Sequence, residues 1–149
     1  MQKHPFKKAL FFTQTDTTLG FVSQDTTLLN HSKQRLPQKH YIKAVDSLES
    51  LKTFIRVPKQ HKKRVRRAKK TTFIFPNGDS YRVVEKNHPH QLLLKRFRWL
   101  YTTSANQSGK AYDETFATQV ASVVITPRHR VQQASKIYKL GTHTIKRIR

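Results

Sequence analysis

The hydrophobic positions of this chain fall into short runs separated by polar stretches. Runs rich in β-branched and aromatic residues predict strands, because such side chains suit a pleated and partly buried surface. They lie at 9–13, 40–45, 71–75, 80–84, 99–103 and 122–126. Two further runs, 135–140 and 144–148, are joined through Gly141 and predict a terminal hairpin.

The turn between two of these runs carries the clearest local signal. Residues 76–79 (PNGD) separate the β-like runs 71–75 and 80–84. An Asn-Gly pair between two such runs favours a tight turn with positive φ, because Asn and Gly tolerate that backbone conformation. The sequence therefore predicts a β-hairpin here, whereas the first strand is predicted to lead into a polar turn that ends at Gly20.

Helices are predicted where capping residues precede apolar positions at helical spacing. Asp25 suits the N-cap of the first helix, and residues 46–49 (DSLE) have the spacing of a capping box for the second. The predicted helices lie at 25–33, between the capping box and Ile55, at 89–97 and at 114–119. Strands that alternate with helices indicate an α/β fold with a mixed sheet, and we expect a single domain over residues 1–149.

The charge balance narrows the class of partner. The chain has 149 residues with 30 Lys and Arg against 8 Asp and Glu, a formal net charge of +22. Self-repulsion of this size is relieved when a polyanion binds and releases its counterions, so phosphate-bearing partners are favoured. A generally basic set of cellular proteins is an equally good explanation of charge alone.

Several classes are excluded by what the sequence lacks. It has no Cys, which excludes disulfides, thiolate zinc sites and cysteine catalysis. Its apolar runs are too short for a membrane span, and we expect a cytoplasmic protein without membrane association. The two histidines of residues 88–90 (HPH) have no third ligand nearby, so no metal site is predicted.

A basic segment stands out within this background. Residues 59–70 contain eight Lys or Arg in twelve positions, and no Asp or Glu occurs between Ser50 and Gly78. Such a block is most often a solvated face and sometimes a nucleic-acid contact. The segment has too few apolar residues for membrane insertion, since it offers Val65 and Ala68 alone.

Two polar segments follow predicted strands, where α/β sheets place their ligand sites. They are residues 15–20 (TDTTLG) and 103–109 (TSANQSG). Hydroxyl and amide groups beside a glycine suit a carboxylate or phosphate ligand, although an ordinary capped turn has the same composition. Residues 33–35 (KQR) and Lys39 form a cationic group that suits a polyphosphate.

The order of these segments resembles the YrdC-like domain of threonylcarbamoyl-AMP synthases. Residues 103–109 are similar to the family's Thr-Ser-Ala-Asn-x-Ser-Gly signature, residues 15–20 to its Pro-Thr-Asp-Thr-Val-Tyr-Gly loop, and residues 33–35 to its Lys-x-Arg. The closing residues 135–149 are similar to the family's Ser-x-Ile, strand and Arg. The motifs depart from the family at Gln14, Leu19 and Val84.

The resemblance implies a twisted mixed sheet with flanking helices and a basic concave face. It also implies synthesis of threonylcarbamoyl-AMP and pyrophosphate from L-threonine, bicarbonate and ATP, for threonylcarbamoyladenosine in tRNA, with Mg²⁺ held largely through the ATP phosphates. The residue roles that it implies are Thr17, Ser104 and Ser135 for threonine, Arg35, Lys39, Asn106 and Arg149 for ATP, Lys33 and Arg35 for charge compensation, and Thr15 and Arg82 in the cleft. Arg147 is the alternative to Arg149 as the closing arginine.

A second function from a different class stays open. The same fold without catalysis would serve as a tRNA-binding or double-stranded RNA-binding module, with residues 59–70 and the concave face contacting phosphates. The polar segments favour the small-molecule site, and the basic segment favours RNA.

Overall fold

Within the described part of the chain, apolar side chains are buried in more than one cluster. The computed structural model describes residues 8–34, 40–126 and 133–149. The chain divides into two compact units: unit 1 comprises residues 1–41 and 101–132, and unit 2 comprises residues 42–100 and 133–149. That the chain behaves as a single domain stays a prediction.

The elements alternate between strands and short helices. In chain order they are β1 (Phe11–Gln14), β2 (Leu19–Ser23), α1 (Thr26–Lys33), β3 (Ile42–Val45), α2 (Leu48–Lys52), a 3-10 turn (Lys59–His61), α3 (Lys62–Arg67), β4 (Thr71–Ile74), β5 (Ser80–Val83), α4 (Gln91–Phe97), β6 (Trp99–Ser104), α5 (Glu114–Val120), β7 (Val123–Val124), β8 (Lys136–Leu140) and β9 (Ile145–Arg147).

Unit 1 contains β1, β2, β7 and residues 101–104 of β6. β2 lies between β1 and β6 and is antiparallel to both, and β7 is parallel to β1 on the outer side. Leu29 of α1 and Ala117 of α5 pack against Phe12 and Phe21 of the strands. Burial of these apolar surfaces stabilises helices that are too short to be stable alone.

Unit 2 contains β3, β5, β4, β8 and β9, in that order across the sheet. The pairs β3–β5 and β4–β8 are parallel, and β4–β5 and β8–β9 are antiparallel. Its core joins Leu51 of α2 and Val65 of α3 to Phe73 and Tyr81 of the strands. The predicted α/β class with a mixed sheet is confirmed.

Alternation along the strands divides unit 2 into two faces. Phe73 and Tyr81 are register partners and both belong to the core beneath α2 and α3. Because successive side chains of a strand point to opposite faces, Thr72 and Arg82 lie on the other face. That face carries the polar cluster of unit 2 described below.

The predicted hairpin is confirmed, with Phe73 opposite Tyr81 and Ile74 opposite Ser80. Gly78 has φ of +89°, which explains why glycine follows Asn77 in the turn. The terminal hairpin is confirmed as β8 and β9.

Strand β2 has no counterpart among the predicted elements. All five of its residues are buried, so its sequence does not show the alternation that marks a half-exposed strand. The start of α2 also differs from the capping-box interpretation. Ser47, not Asp46, is the N-cap and accepts from the Ser50 backbone N–H, and the helix ends at Lys52.

The predicted helices at 25–33, 89–97 and 114–119 are confirmed as α1, α4 and α5. Asp25 caps α1 by accepting from the Thr27 backbone N–H. Leu92 of α4 is 75% exposed and therefore does not pack into the core, although it is an apolar residue of the predicted helix. None of the helices in the described ranges is both long enough and apolar enough to cross a membrane.

Candidate functional site

The loop between β1 and β2 is held by its own threonine hydroxyls. Thr15 Oγ1 donates to the Thr18 carbonyl at 2.6 Å and accepts from the Thr17 backbone N–H at 3.2 Å. The Thr15 and Thr17 hydroxyl oxygens lie 3.3 Å apart, and both residues are at least 95% buried. Burial and internal hydrogen bonds fix these two side chains in one arrangement.

Gly20 lets this loop pack closely against β6. A Cβ atom at Gly20 would lie 2.7 Å from Thr15 Cγ2 and 2.9 Å from the Thr103 carbonyl oxygen. Both distances are shorter than real Cβ atoms adopt, and the second involves backbone, which cannot turn away. Glycine is therefore required here by the close approach of the two strands.

A buried lysine connects α1 to the end of β6. Lys33 is 1% exposed, and its Nζ donates to the Ser104 carbonyl at 2.9 Å and to Asn106 Oδ1 at 3.0 Å. Ser104 Oγ lies 3.4 Å from the same nitrogen and donates to Asn106 Oδ1. A buried ammonium is stabilised when its N–H groups are satisfied in this way.

The segment after β6 is bonded to α1 through main chain as well. The Ser108 backbone N–H donates to the Lys33 carbonyl at 3.0 Å, and Asn106 Nδ2 donates to the Lys110 carbonyl at 2.7 Å. Gln107 Nε2 donates to Gln34 Oε1. The amide of Asn106 thus uses both its ends to hold one conformation of the 104–110 segment.

These two segments meet at one end of the unit 1 strands. Gly20 is the register partner of Ser104, and the Ala105 backbone N–H donates to the Leu19 carbonyl at 2.9 Å. Since β2 and β6 are antiparallel, the start of β2 and the end of β6 coincide, and so do the loops attached to them. We call Thr15, Thr17, Lys33, Ser104 and Asn106 the lysine cluster.

Unit 2 has a separate polar cluster on the face opposite its core. The Thr72 and Ser135 hydroxyls lie 2.9 Å apart, and Arg82 Nη1 donates to Thr72 Oγ1 at 3.3 Å. Arg149 Nε donates to the Ser135 carbonyl at 3.0 Å, with Nη2 3.4 Å from Ser135 Oγ. We call Thr72, Arg82, Ser135 and Arg149 the arginine cluster.

The arginine cluster has the chemistry of an anion site. Thr72, Arg82 and Ser135 are each at least 94% buried. Two guanidinium groups next to two hydroxyls offer the planar, charge-assisted donors that carboxylate and phosphate oxygens accept.

Eight of the ten sequence-predicted site residues can be placed. The structure brings Thr15 and Thr17 together in one loop, and Lys33 with Ser104 and Asn106 at the same strand ends. Arg82, Ser135 and Arg149 come together in unit 2. Arg35 and Lys39 lie outside the described residues.

The sequence interpretation missed the role of Thr72. The predicted hairpin could have indicated Thr72, because a tight turn at 76–79 places residue 72 beside residue 82 on the same face of the sheet. Metal binding has no comparable support in the described ranges, where no three His, Asp or Glu side chains come together.

One further cation of unit 2 is held by aromatic rings. Lys43 Nζ lies 4.0 Å from the ring centroid of Phe54 and 4.5 Å from that of Trp99. Desolvation by partial burial lowers the pKa of Lys43 below its ordinary 10.5, against a smaller opposing effect of Asp79. The rings stabilise the charged form by cation–π attraction while they keep water away from it.

No protein-family model matches the chain. A Mycoplasma pneumoniae protein described as the uncharacterized MG259 homolog is 34% identical over 144 residues, which cover 89% of this chain and 30% of that protein. The chain thus spans less than a third of the length of this curated relative.

Several solved structures have a similar fold over nearly the whole of this chain. P. abyssi Sua5 complexed with L-threonine has a TM-score of 0.77 at 17% identity over 95% of this chain and 50% of that one. MTH1692 from Methanobacterium thermoautotrophicum has a TM-score of 0.69 at 16% identity, over 100% of this chain and 89% of that one. HypF in a phosphate- and nucleotide-bound form has 0.70 at 16%, over 95% and 26%. The fold is therefore YrdC-like, as the sequence motifs predicted.

Proposed function

We propose that this chain binds L-threonine and ATP and catalyses formation of threonylcarbamoyl-AMP. The observation that carries the proposal is the lysine cluster. Two segments separated by 71 positions, Lys33 and the signature at 103–109, meet through hydrogen bonds of 2.9 and 3.0 Å. An ordinary capped turn does not require a buried ammonium from a distant helix, so this arrangement favours a built ligand site.

The arrangement of charge suits the reaction. Threonine's amine takes up bicarbonate as a carbamate with loss of water, and a carbamate oxygen then attacks the α-phosphorus of ATP and releases pyrophosphate. This chemistry needs alignment and compensation of negative charge, without a protein nucleophile. Lys33 would supply a fixed positive charge, and Thr17 and Ser104 would supply hydroxyl contacts to threonine.

The arginine cluster would supply further contacts to anionic groups. Ser135 is proposed to contact threonine and Arg149 to contact ATP, with Arg82 holding the Thr72 hydroxyl. Arg35 and Lys39 are proposed to contact ATP. Mg²⁺ would enter through the ATP phosphates, because the lysine cluster presents hydroxyl, amide and ammonium groups.

The similar structures support this proposal by their ligands. Sua5 was solved with L-threonine, and HypF with phosphate and nucleotide. The chain's resemblance to threonylcarbamoyl-AMP synthases implies the same pair of ligands for residues 15–20, 33–35 and 103–109. The tRNA pathway that would use the product follows from that resemblance.

Pyrophosphate release by the purified chain with ATP, Mg²⁺ and bicarbonate, with and without L-threonine, tests the proposal. We expect release that depends on threonine. Thr17→Val removes a hydroxyl and keeps the shape, so the threonine KM should rise about tenfold or more, as for a lost hydrogen bond in a closed site.

Thr115→Val is the matched control, since Thr115 is an exposed residue of α5. This variant should leave pyrophosphate release and the threonine KM unchanged. The proposal is overturned if threonine does not stimulate pyrophosphate release and ligand titration shows binding of neither ATP nor threonine. Equal KM effects of Thr17→Val and Thr115→Val would remove Thr17 from the site.

A further inference from the structure

The region around α3 presents an ordered set of exposed cations. Eight of the twelve residues from 59 to 70 are Lys or Arg, against 30 of 149 in the whole chain. We call them the basic surface: Lys59, Lys62, Lys63, Arg64, Arg66, Arg67, Lys69 and Lys70. Each is exposed or half-exposed.

The backbone that carries the basic surface is anchored. Val65 is 1% exposed and belongs to the core of unit 2. The His61 ring nitrogen Nε2 lies 3.0 Å from the Gly141 carbonyl oxygen, and Gln60 Nε2 donates to the Thr142 carbonyl. These contacts fix the orientation of α3, so its cations project from set positions and do not form a loose basic tail.

The positive charges of α3 destabilise the helix that carries them. Lys63 and Arg67 are four residues apart and repel each other on the side away from Val65. The first turn of α3 has no acidic residue, and its N-cap residue makes no capping hydrogen bond, although cations at a helix N-terminus are unfavourable.

Compensating carboxylates are scarce. Within the described ranges, Lys69 pairs with Glu85 at 3.6 Å, and the seven other cations of the basic surface have no carboxylate within 4 Å. A helix of six residues with uncompensated repulsion is poorly explained by stability. A polyanion that binds and releases counterions would relieve the repulsion.

The basic surface is separate from the arginine cluster. α3 packs on the face of the sheet that carries Phe73 and Tyr81, and Thr72 and Arg82 belong to the opposite face. A ligand on the arginine cluster therefore leaves the basic surface available to a second partner.

We propose that the basic surface binds the phosphate backbone of a nucleic acid, on the face of unit 2 opposite the arginine cluster. A lipid surface fits less well, because Val65 is buried and Ala68 is the other aliphatic residue of the segment. The segment has no Phe, Tyr or Trp to stack on bases, so contact is to phosphates and independent of sequence. The inference does not depend on synthase activity.

Salt-dependent binding of the full chain to labelled duplex RNA, single-stranded RNA and duplex DNA of equal length tests the proposal. The double variant Lys63→Gln, Arg67→Gln removes two outward charges. We expect about tenfold weaker binding near 0.1 M salt and a log–log salt slope smaller by about two. Comparison of the three nucleic acids identifies the preferred backbone.

The matched control is Lys95→Gln, Arg96→Gln, which removes two exposed charges of α4 in the same unit. It should change affinity and slope much less. Equal losses in both variants would overturn the proposal, because net charge would then explain binding. So would the absence of binding to all three nucleic acids, or tighter binding to anionic phosphatidylserine vesicles.

Folding and ligand controls separate this proposal from the previous one. Thermal unfolding of the α3 variant should match or exceed that of the parent, since repulsion is removed. Threonine and ATP binding should be unchanged in it. If the parent chain binds nucleic acid but shows no threonine-dependent turnover, the result contradicts the synthase proposal and leaves this one standing.

Discussion

The lysine cluster of unit 1 and the arginine cluster of unit 2 hold their cations in different ways. Lys33 donates to a backbone carbonyl and a side-chain amide oxygen, which the protein itself supplies. Arg82 donates to the Thr72 hydroxyl, and Arg149 lies near the Ser135 hydroxyl while its Nε donates to the Ser135 carbonyl. Hydroxyls both donate and accept.

This difference indicates that Lys33 stabilises the protein framework, whereas the arginine cluster is suited to contact a bound anion. A lysine that satisfies backbone acceptors fixes the 104–110 segment and contributes a charge at a constant position. A guanidinium next to a neutral hydroxyl gains strength when a carboxylate or phosphate replaces that hydroxyl as acceptor. We therefore expect unit 1 changes to affect stability and unit 2 changes to affect anion affinity more.

The largest effect is expected at Gly20. Gly20→Ala forces a Cβ atom against Thr15 Cγ2 and the Thr103 carbonyl, and should lower the free energy of unfolding by about 3 kcal/mol. Urea denaturation measures this loss. Gly78→Ala is the comparison, with open space around the added Cβ but φ of +89°, and should cost about 1 kcal/mol. A smaller loss at Gly20 than at Gly78 would contradict the close packing.

Lys33→Met should lower the free energy of unfolding by about 2 kcal/mol. Methionine fills a similar volume but removes the donor to the Ser104 carbonyl and one of the donors to the Asn106 amide oxygen. Lys52→Met, at an exposed position in the last turn of α2, should change stability little. If Lys33→Met is neutral in urea denaturation, Lys33 is not part of the framework.

Thr72→Val should cost about 1 kcal/mol and reveal coupling with Ser135. The Thr72 hydroxyl bonds to Ser135 and accepts from Arg82, so its loss leaves buried donors short of a partner. A double-mutant cycle with Ser135→Ala measures the coupling, expected to be about 0.5 kcal/mol or more. Additive effects would show that the two hydroxyls are independent. ATP or phosphate affinity, measured by calorimetry, should fall in both variants.

The smallest effect is a pH dependence at Lys43. Its pKa in the folded state lies below 10.5, so between the lowered pKa and 10.5 the unfolded chain binds more protons and stability rises with pH. Lys43→Met removes this contribution. The stability of the variant relative to the parent should therefore fall slightly as the pH rises through the lowered pKa to 10.5. A constant difference in urea midpoints across this range would contradict the lowered pKa.

Local chemistry made much of the fold predictable. The turn at 76–79 and the N-cap Asp25 depend on residues two to four positions apart, so both can be predicted without knowing the rest of the chain. β2 was missed because every residue in it is buried, which removes the alternation that a sequence pattern needs. The capping of α2 shifted by one residue because Asp46 and Ser47 are both acceptable caps.

The sequence by itself determined the α/β class, the hairpins and the polar segments that resemble a threonylcarbamoyl-AMP synthase. Tertiary structure alone decided that Lys33 is buried against Ser104 and Asn106, and that Thr72 joins Arg82 and Ser135. The physical reason is the separation along the chain between the residues that make contact. Turns and caps form between neighbours in the chain, whereas these contacts exist only after strand pairing brings distant segments to one end or one face of a sheet.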